Sequence, residues 1–260
     1  MHWISWTGWV AAAAMMGIDQ AAAQGSSSPV TDVDTGFVFA AYSGRYDTSN
    51  GAIQFRVAVP SGVGTNEPYD AVLQVVAPTA VGWAGVAWGG SMTYNPLTVV
   101  WPSGQTVTLS SRWATCVVAP VLVAFFGSGN KLLYCIMFIS LTPKPERAMP
   151  QNKSAHAAPA PYTVPVYEVL KTGTRVNSTH WQITAKCSGC TSFQGRAGAA
   201  PTWLRPTGSN RLAFAMARTA PSQPASNTSA IPYHEVHQYW NADFGSAQNE
   251  NFGELVQRNL

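Results

Sequence analysis

The amino-acid sequence predicts an all-β protein, an antiparallel sandwich built around one core. Charged residues make up only 10% of the 260 residues, and 22 glycines and 18 prolines interrupt the chain at short intervals. The apolar runs between these interruptions are short, and several alternate with the period of two that a half-buried strand requires. Short strands joined by turns, without helical periodicity between them, are typical of antiparallel sandwiches and barrels. Sandwiches of this length commonly form one domain.

Eight segments carry the strand pattern, and turn-forming residues separate them. Ser-Gly, Pro-Ser-Gly and Asn-Glu-Pro stand between the early segments, where each supplies a turn or blocks a ladder. In chain order, the predicted strands are residues 36–42, 52–59, 71–77, 82–88, 97–101, 105–109, 181–186 and 211–217.

Residues 1–23 are predicted to be a signal peptide. An apolar stretch leads into the small residues Ala21 to Ala23, which signal peptidase accepts, so we expect cleavage after them. A buried N-terminal helix is the alternative interpretation. Three glycosylation sequons agree with export, at Asn152, Asn177 and Asn227. We therefore expect a secreted, extracellular protein.

The segment 117–159 breaks the strand pattern. As a membrane span it is poor, because Gly127 to Lys131 divides its apolar residues into two pieces, each shorter than the roughly 20 residues that a spanning helix needs. As a pair of sandwich strands it is unusually apolar on both faces. A third interpretation is that it was never selected for folding, as a translated intron or a gene-model error.

Composition and motifs argue against several classes of function. The formal net charge is only +3, and no cluster of Lys and Arg interleaves with aromatic residues, so nucleic acid is not an expected partner. The chain has no nucleophile elbow, phosphate-binding loop or dinucleotide fingerprint. Its acidic residues are few and scattered, which makes hydrolysis by a carboxylate pair a weak hypothesis.

Cys187 and Cys190 form a Cys-Ser-Gly-Cys motif. In a secreted chain this spacing can close a tight disulfide across a turn, whereas in the cytosol it would indicate a redox thiol or half of a zinc site. No second motif of this kind and no histidine pair completes a metal site. A structural disulfide is therefore favoured over redox activity.

Four side chains remain as candidate metal ligands: Met92, His180, His234 and His237. Met92 follows an apolar strand and two glycines, which can bring backbone close to a large flat ligand. A lone methionine more often fills a core, and a lone histidine is more often a surface or hydrogen-bonded residue. His234 and His237 need not share a metal, because residues three apart lie on one face of a helix but on opposite faces of a strand. His180 is interpreted as structural.

Five ordered blocks of the sequence resemble the haem-binding cytochrome domain of fungal cellobiose dehydrogenases, which also occurs as a stand-alone secreted cytochrome. Together the blocks span nearly all of the mature chain. They are Asp34-Thr-Gly-Phe-Val-Phe39, Val76 through the Gly-Gly-Ser-Met ending at Met92, Ser111-Arg-Trp-Ala-Thr115, Val176-Asn-Ser-Thr-His-Trp181 leading to Cys187-Ser-Gly-Cys190, and His234 through Phe252.

The resemblance implies an antiparallel β-sandwich over residues 24–260, with a haem b pocket at one face. Its axial iron ligands fall on Met92 and His234, and its disulfide joins Cys187 to Cys190. His237 occupies a position that is usually aromatic in the family and is not nominated. An iron with two protein ligands has no open position for substrate, so the expected function is electron transfer.

By the same resemblance, the electron donor is a secreted flavin dehydrogenase, and the acceptor is a copper polysaccharide oxygenase or a small oxidant. The chain is expected to be a carrier that lacks the dehydrogenase usually joined to it. A cofactor-free β-sandwich that binds a polysaccharide surface with exposed aromatics is the alternative, since the chain has ten tryptophans.

The chain departs from the family after Thr115. The family continues there with a pair of residues ending in a tyrosine that helps to hold a haem propionate, whereas this chain has Cys116 and Val117. Removing about 40 residues would restore the family's spacing. We therefore expect that the segment 117–159 is an insertion outside the native sandwich.

Overall fold

The computed structural model describes residues 25–49, 51–115 and 158–260, and these residues form mostly β-strands. The elements in chain order are β1 (Gly25–Ser26), β2 (Ser28–Thr31), β3 (Val38–Arg45), β4 (Ala52–Pro60), β5 (Ala71–Pro78), β6 (Trp83–Ala87), β7 (Pro96–Ser103), β8 (Thr106–Trp113), β9 (Ala160–Pro161), β10 (Val166–Val169), β11 (Arg175–Val176), β12 (His180–Ser188), β13 (Ser192–Phe193), β14 (Thr202–Trp203), β15 (Ser209–Ala217), β16 (Val236–Asp243), a 3-10 helix (Phe244–Ala247), β17 (Gln248–Asn249) and helix α1 (Phe252–Asn259).

Two large sheets pack face to face. The seven-stranded sheet has the order β1-β16-β15-β6-β7-β8-β9. The eight-stranded sheet has the order β10-β12-β5-β4-β3-β2, with β11 pairing β12 and β17 pairing β4. The long strands pair antiparallel, and the short pairs β1–β16 and β17–β4 are parallel. The predicted all-β antiparallel sandwich is confirmed.

The core lies between the two sheets, and strand alternation decides which side chains enter it. Val86 points from the seven-stranded sheet into the core, while its neighbour Ala87 belongs to a separate cluster on the outer face. Across the core, the ring of Phe55 lies 4.8 Å from that of Phe214 and 5.5 Å from that of Trp240. Each such ring, taken fully out of water, contributes roughly 1.5–3 kcal/mol to folding.

The C-terminal helix α1 covers the outer face of the eight-stranded sheet. Its Phe252 ring meets the Phe37 ring edge-on at 5.7 Å, and Val256 joins the same buried cluster. The Asn259 amide donates a 2.9 Å hydrogen bond to the carbonyl oxygen of Thr35, which fixes the end of the helix to the loop before β3. Part of this outer face is thus covered by the chain itself.

All eight predicted strands are present, each with ends shifted by a few residues. The pattern missed β16, α1 and the short strands of two to four residues. β16 exposes every second side chain near its start and contains polar residues at several positions, so its apolar alternation is weak. α1 has only eight residues and includes Gly253, and although its buried residues Phe252, Leu255 and Val256 have helical spacing, two turns are shorter than the roughly 11–18 residues over which a helical period is read.

Two expectations fall partly or wholly outside the described residues. Residues 1–23 and 117–157 are not described, so the signal peptide and most of the segment 117–159 stay predictions. Its last two residues, Ala158 and Pro159, are described and lie against the sandwich. Within the described residues, no helix has the length and apolar character needed to cross a membrane.

A disulfide joins Cys187 at the end of β12 to Cys190, and both residues are fully buried. Gly189 between them has φ +89°, a left-handed conformation that glycine adopts without strain. The hydroxyl of Tyr167 lies 3.3 Å from Cys190 Sγ, and it must be the donor because a bonded sulfur carries no proton. Burial raises the pKa of Tyr167 to about 12, which keeps that proton in place.

Candidate ligand-binding site on the seven-stranded sheet

A cavity of about 420 Å³ opens on the outer face of the seven-stranded sheet. Its walls come from β6, β7, β15 and β16 and from two loops, one carrying Met92 and the other His234. Among the described residues that line it, none is Asp, Glu, Lys or Arg. The volume lies within the roughly 300–1,000 Å³ of typical small-molecule and cofactor sites.

Small side chains form the floor of the cavity. On the neighbouring strands β6 and β15, Ala87 pairs with Ala213. Two residues further along, Gly85 pairs with Ala215. All four lie on the outer face, because strand alternation sends their neighbours into the core. With so little side-chain bulk at these positions, a flat ligand can approach the sheet backbone closely. The floor is therefore hollow because of residue size and needs no irregular backbone.

Met92 lies in the loop between β6 and β7. Gly90 has φ +72°, and a side chain at Gly89 would overlap the amide oxygen of Asn95. These two glycines are thus required by the turn itself, whereas the sequence suggested that they serve close approach to a ligand. The backbone N–H of Trp88 donates to the carbonyl oxygen of Pro96 at 3.1 Å, which closes the loop. Met92 is half-buried and packs against the outer-face cluster.

The loop between β15 and β16, which carries His234, is fastened to the sheet by buried donors. Arg112 on β8 is 3% exposed and donates to the carbonyls of Asn227 at 2.9 Å and Ser229 at 2.6 Å. The Trp101 indole N–H donates to the carbonyl of Pro224 at 2.7 Å. Burial lowers the pKa of Arg112. These bonds fix the path of the loop toward His234.

His234 and His237 lie close together at the cavity, with ring centroids 5.0 Å apart in an edge-to-face arrangement. Between them, the Glu235 N–H donates to the carbonyl of Met216 at 2.8 Å, which anchors the chain where β16 begins. The Glu235 carboxylate pairs with Arg218 at 2.8 Å, and a hydrogen bond from the Arg218 backbone N–H lowers the pKa of Glu235. His234 is half-buried, and His237 is more exposed.

The structure thus brings two nominated residues, Met92 and His234, to one cavity together with His237. His180 lies elsewhere. It is exposed on β12 of the eight-stranded sheet, beside a smaller hollow that Arg175 and Asn177 also line.

Two features of the site were missed by sequence reasoning. The first is the floor, whose signal is visible in retrospect: every second residue is small from Gly85 to Ala87 and from Ala213 to Ala215. The second is the role of Arg112, which lies in the block Ser111-Arg-Trp-Ala-Thr115 but for which the sequence predicted no function. Its hydrogen bonds reach residues more than 100 positions along the chain, and no local pattern indicates such contacts.

The donor set and the lining fit a haem. A thioether and an imidazole on two separate loops face one apolar cavity, and His with Met is an established axial pair for haem iron in cytochromes. The class of protein that the fold and this site define is a β-sandwich with an apolar cavity on one outer face.

The family model of the cytochrome domain of cellobiose dehydrogenase matches residues 30–130 and 148–254. The chain belongs to this family. It is a cytochrome domain of the type found in sugar dehydrogenases, which implies electron transfer. The resemblance read from the five sequence blocks is confirmed.

Known proteins extend the comparison. The pyrroloquinoline quinone-dependent pyranose dehydrogenase of Coprinopsis cinerea is 28% identical over 239 residues, which are 91% of this chain and 26% of that protein. The chain therefore spans about a quarter of that relative. The cytochrome b domain of pyranose dehydrogenase from Coprinopsis cinerea has a TM-score of 0.63 at 24% identity, covering 90% of this chain and 96% of that one. The cytochrome domain of Myriococcum thermophilum cellobiose dehydrogenase has a TM-score of 0.64 at 19% identity, covering 90% and 97%. These two structures share the fold.

Proposed function

We propose that this protein binds one haem b in the cavity on the seven-stranded sheet, with Met92 and His234 as the axial ligands, and transfers single electrons. The observation that carries the proposal is that these two side chains, 142 positions apart in numbering, line the same apolar cavity in a member of a cytochrome family. A bound haem supplies a one-electron iron couple.

Each part of the site has a distinct task in this proposal. The His234 imidazole binds iron in both oxidation states, and the Met92 thioether favours the reduced state, which raises the potential. The apolar lining excludes water and so acts in the same direction. Arg112 holds the loop that leads to His234, because its hydrogen bonds fix the backbone at Asn227 and Ser229.

The partners follow from the chemistry of a carrier. A secreted sugar dehydrogenase is the proposed electron donor, in keeping with the pyranose and cellobiose dehydrogenases to which related cytochrome domains belong. A flavin enzyme is the specific donor proposed, and a copper polysaccharide oxygenase is the proposed acceptor. The protein is proposed to act outside the cell, after removal of residues 1–23.

Visible absorption of the purified protein tests the proposal. A haem with two protein ligands gives an intense Soret band and, after reduction, sharp α and β bands, and the pyridine haemochrome should identify haem b at one per chain. Protein expressed with haem supplied that shows no Soret band would refute the proposal.

Burial removes most of the tryptophan argument for a cofactor-free polysaccharide binder. A sugar-binding aromatic platform must be exposed, whereas Trp83, Trp88, Trp101, Trp181 and Trp240 are all buried. Among the described residues, the exposed aromatic side chains are Trp203, which lies outside the cavity lining, and Tyr233 and Tyr239, which belong to it, so the visible spectrum distinguishes the two functions.

A further inference from the structure

The described cavity lining offers no positively charged side chain to pair with the negative groups of the proposed haem. Haem b carries two propionate carboxylates, and carboxylates are held best by charge-assisted hydrogen bonds from arginine. The described lining contains no Lys or Arg. A cation at the rim of the cavity is therefore needed.

Arg211 lies at the rim. It is on β15, two residues before Ala213 and four before Ala215, so its side chain leaves the sheet on the same face as the cavity floor. Its guanidinium carbon lies 4.2 Å from the ring centroid of Tyr239, a residue that lines the cavity. On its other side, Gly90 of the Met92 loop packs so closely that an added Cβ would come within 2.9 Å of Arg211 Cγ.

The charge of Arg211 is not neutralised by the described residues. No carboxylate of the described ranges forms an ion pair with it, and its side chain is exposed. A guanidinium stacked on an aromatic ring keeps its edge N–H donors available for a planar carboxylate. The stack therefore presents Arg211 in a fixed position beside the mouth.

Arg112 and Arg218 near the site already have polar partners, and Arg196 lies away from the cavity lining. Arg112 directs its donors to carbonyl oxygens of the His234 loop, and Arg218 pairs with Glu235 and Asp47. Arg196 also stacks on a tyrosine, with its guanidinium carbon 4.7 Å from the ring centroid of Tyr94, but that tyrosine does not line the cavity. Arg196 is thus a matched arginine without the position of Arg211.

We infer that Arg211, held by its stack on Tyr239 and by the Gly90 turn, binds a propionate carboxylate of the haem. This inference rests on the proposed haem site and names the residue that holds the charged edge of the haem. Because the pair is at an exposed rim and is screened by solvent, its effect on haem retention should be modest, roughly two- to fivefold.

The test compares two probes in the apoprotein: haemin, and haemin dimethyl ester, whose propionates cannot ionise. The rate of haem transfer to an excess of apomyoglobin is measured for each probe in the original protein, in Arg211→Gln and in Arg196→Gln. In the original protein and in Arg196→Gln, we expect the ester to leave roughly two- to fivefold faster than haemin. Arg211→Gln should release haemin at that faster rate and show no difference between the probes. Arg211→Lys should restore part of the difference, because it restores the charge without the fork of donors.

The midpoint potential gives a second readout on the haemin-loaded protein. Removing a positive charge near the iron favours the oxidised state, so Arg211→Gln should lower the potential, and Arg196→Gln should leave it nearly unchanged. An Arg211→Gln protein that discriminates between the two probes as strongly as the original would overturn the inference, and would leave Arg211 free to meet an acidic partner surface. Failure of the apoprotein to bind either probe would instead refute the proposed haem site.

Discussion

The two outer faces of the sandwich differ in what covers them. On the eight-stranded sheet, the helix α1 packs Phe252 against Phe37 and covers part of the face with the protein's own side chains. On the seven-stranded sheet, Gly85 and Ala215 stand side by side, and the loops above them leave a cavity of about 420 Å³. The architecture is similar on both sides, so the size of the outward side chains decides which face can receive a ligand.

Filling the cavity should have the largest effect on haem binding. Ala215→Phe places a ring on the floor beside Gly85, and it should lower haem content more than about tenfold, because excluding the ligand costs more than the 1.4 kcal/mol that a factor of ten represents. The fold should survive, since Ala215 is only partly buried. Pyridine haemochrome content and far-ultraviolet circular dichroism measure the two effects. Ala215→Ser is the matched small control, and full haem content in Ala215→Phe would mean that the haem lies elsewhere.

A change on the face covered by α1 should lower the stability of the fold and leave haem binding unchanged. Phe252→Ala removes the ring that packs on Phe37 and should lower the free energy of unfolding by about 3 kcal/mol. The visible spectrum of the folded fraction should not change, because Phe252 is on the sheet opposite the cavity. Urea unfolding followed by tryptophan fluorescence measures the loss, and Phe252→Leu should cost less than about 1.5 kcal/mol. A shifted spectrum at unaltered stability would contradict the separation of the two faces.

The disulfide belongs to the core between the faces and should have a smaller effect. Replacing Cys187 and Cys190 together by serine should cost about 2 kcal/mol, because the closed loop is short and chain entropy scales with its length. Haem binding should persist. Mass mapping after blocking free thiols checks the bond directly, and alkylation of both cysteines in the secreted protein would restore the redox-thiol interpretation.

The smallest effect is expected from removing residues 116–157. Trp113 pairs antiparallel with Ala160, so the chain positions on either side of that segment are already neighbours. A variant in which Asn-Gly replaces the segment should close a two-residue hairpin and keep the melting temperature and haem content of the original. Peptides from this segment in the secreted protein would contradict the translated-intron interpretation, which the transcript also tests directly. A lower melting temperature or haem content in the shortened variant would contradict the insertion hypothesis.

The sequence was most informative where chemistry is local. Period-two alternation located the strands around Phe55 and Val86, and the Cys-Ser-Gly-Cys spacing located the disulfide. Non-local contacts could not be read in the same way. Arg112 bonds to carbonyls of a loop more than 100 residues away, and the cavity floor depends on which strands pair as β6 and β15.

The candidate ligands show the same limit. Family resemblance nominated Met92 and His234, whereas spacing alone left His180 and His237 in competition with them. Sheet topology separates His180, which lies on the other sheet. His237 reaches the same cavity as His234, so geometry alone leaves the two histidines for an experiment to distinguish.

The most direct measurement of the central claim is the haem content and reduced-state spectrum of four single variants. His234→Ala should lose most of the haem, because imidazole is the stronger ligand in both oxidation states. Met92→His should retain haem at a lower potential, since it exchanges a thioether that favours Fe(II) for a second imidazole. His237→Ala and His180→Ala should keep a nearly unchanged spectrum. Full haem retention with an unaltered spectrum in His234→Ala would contradict the proposed ligation, and loss on replacing His237 would identify that residue as the ligand.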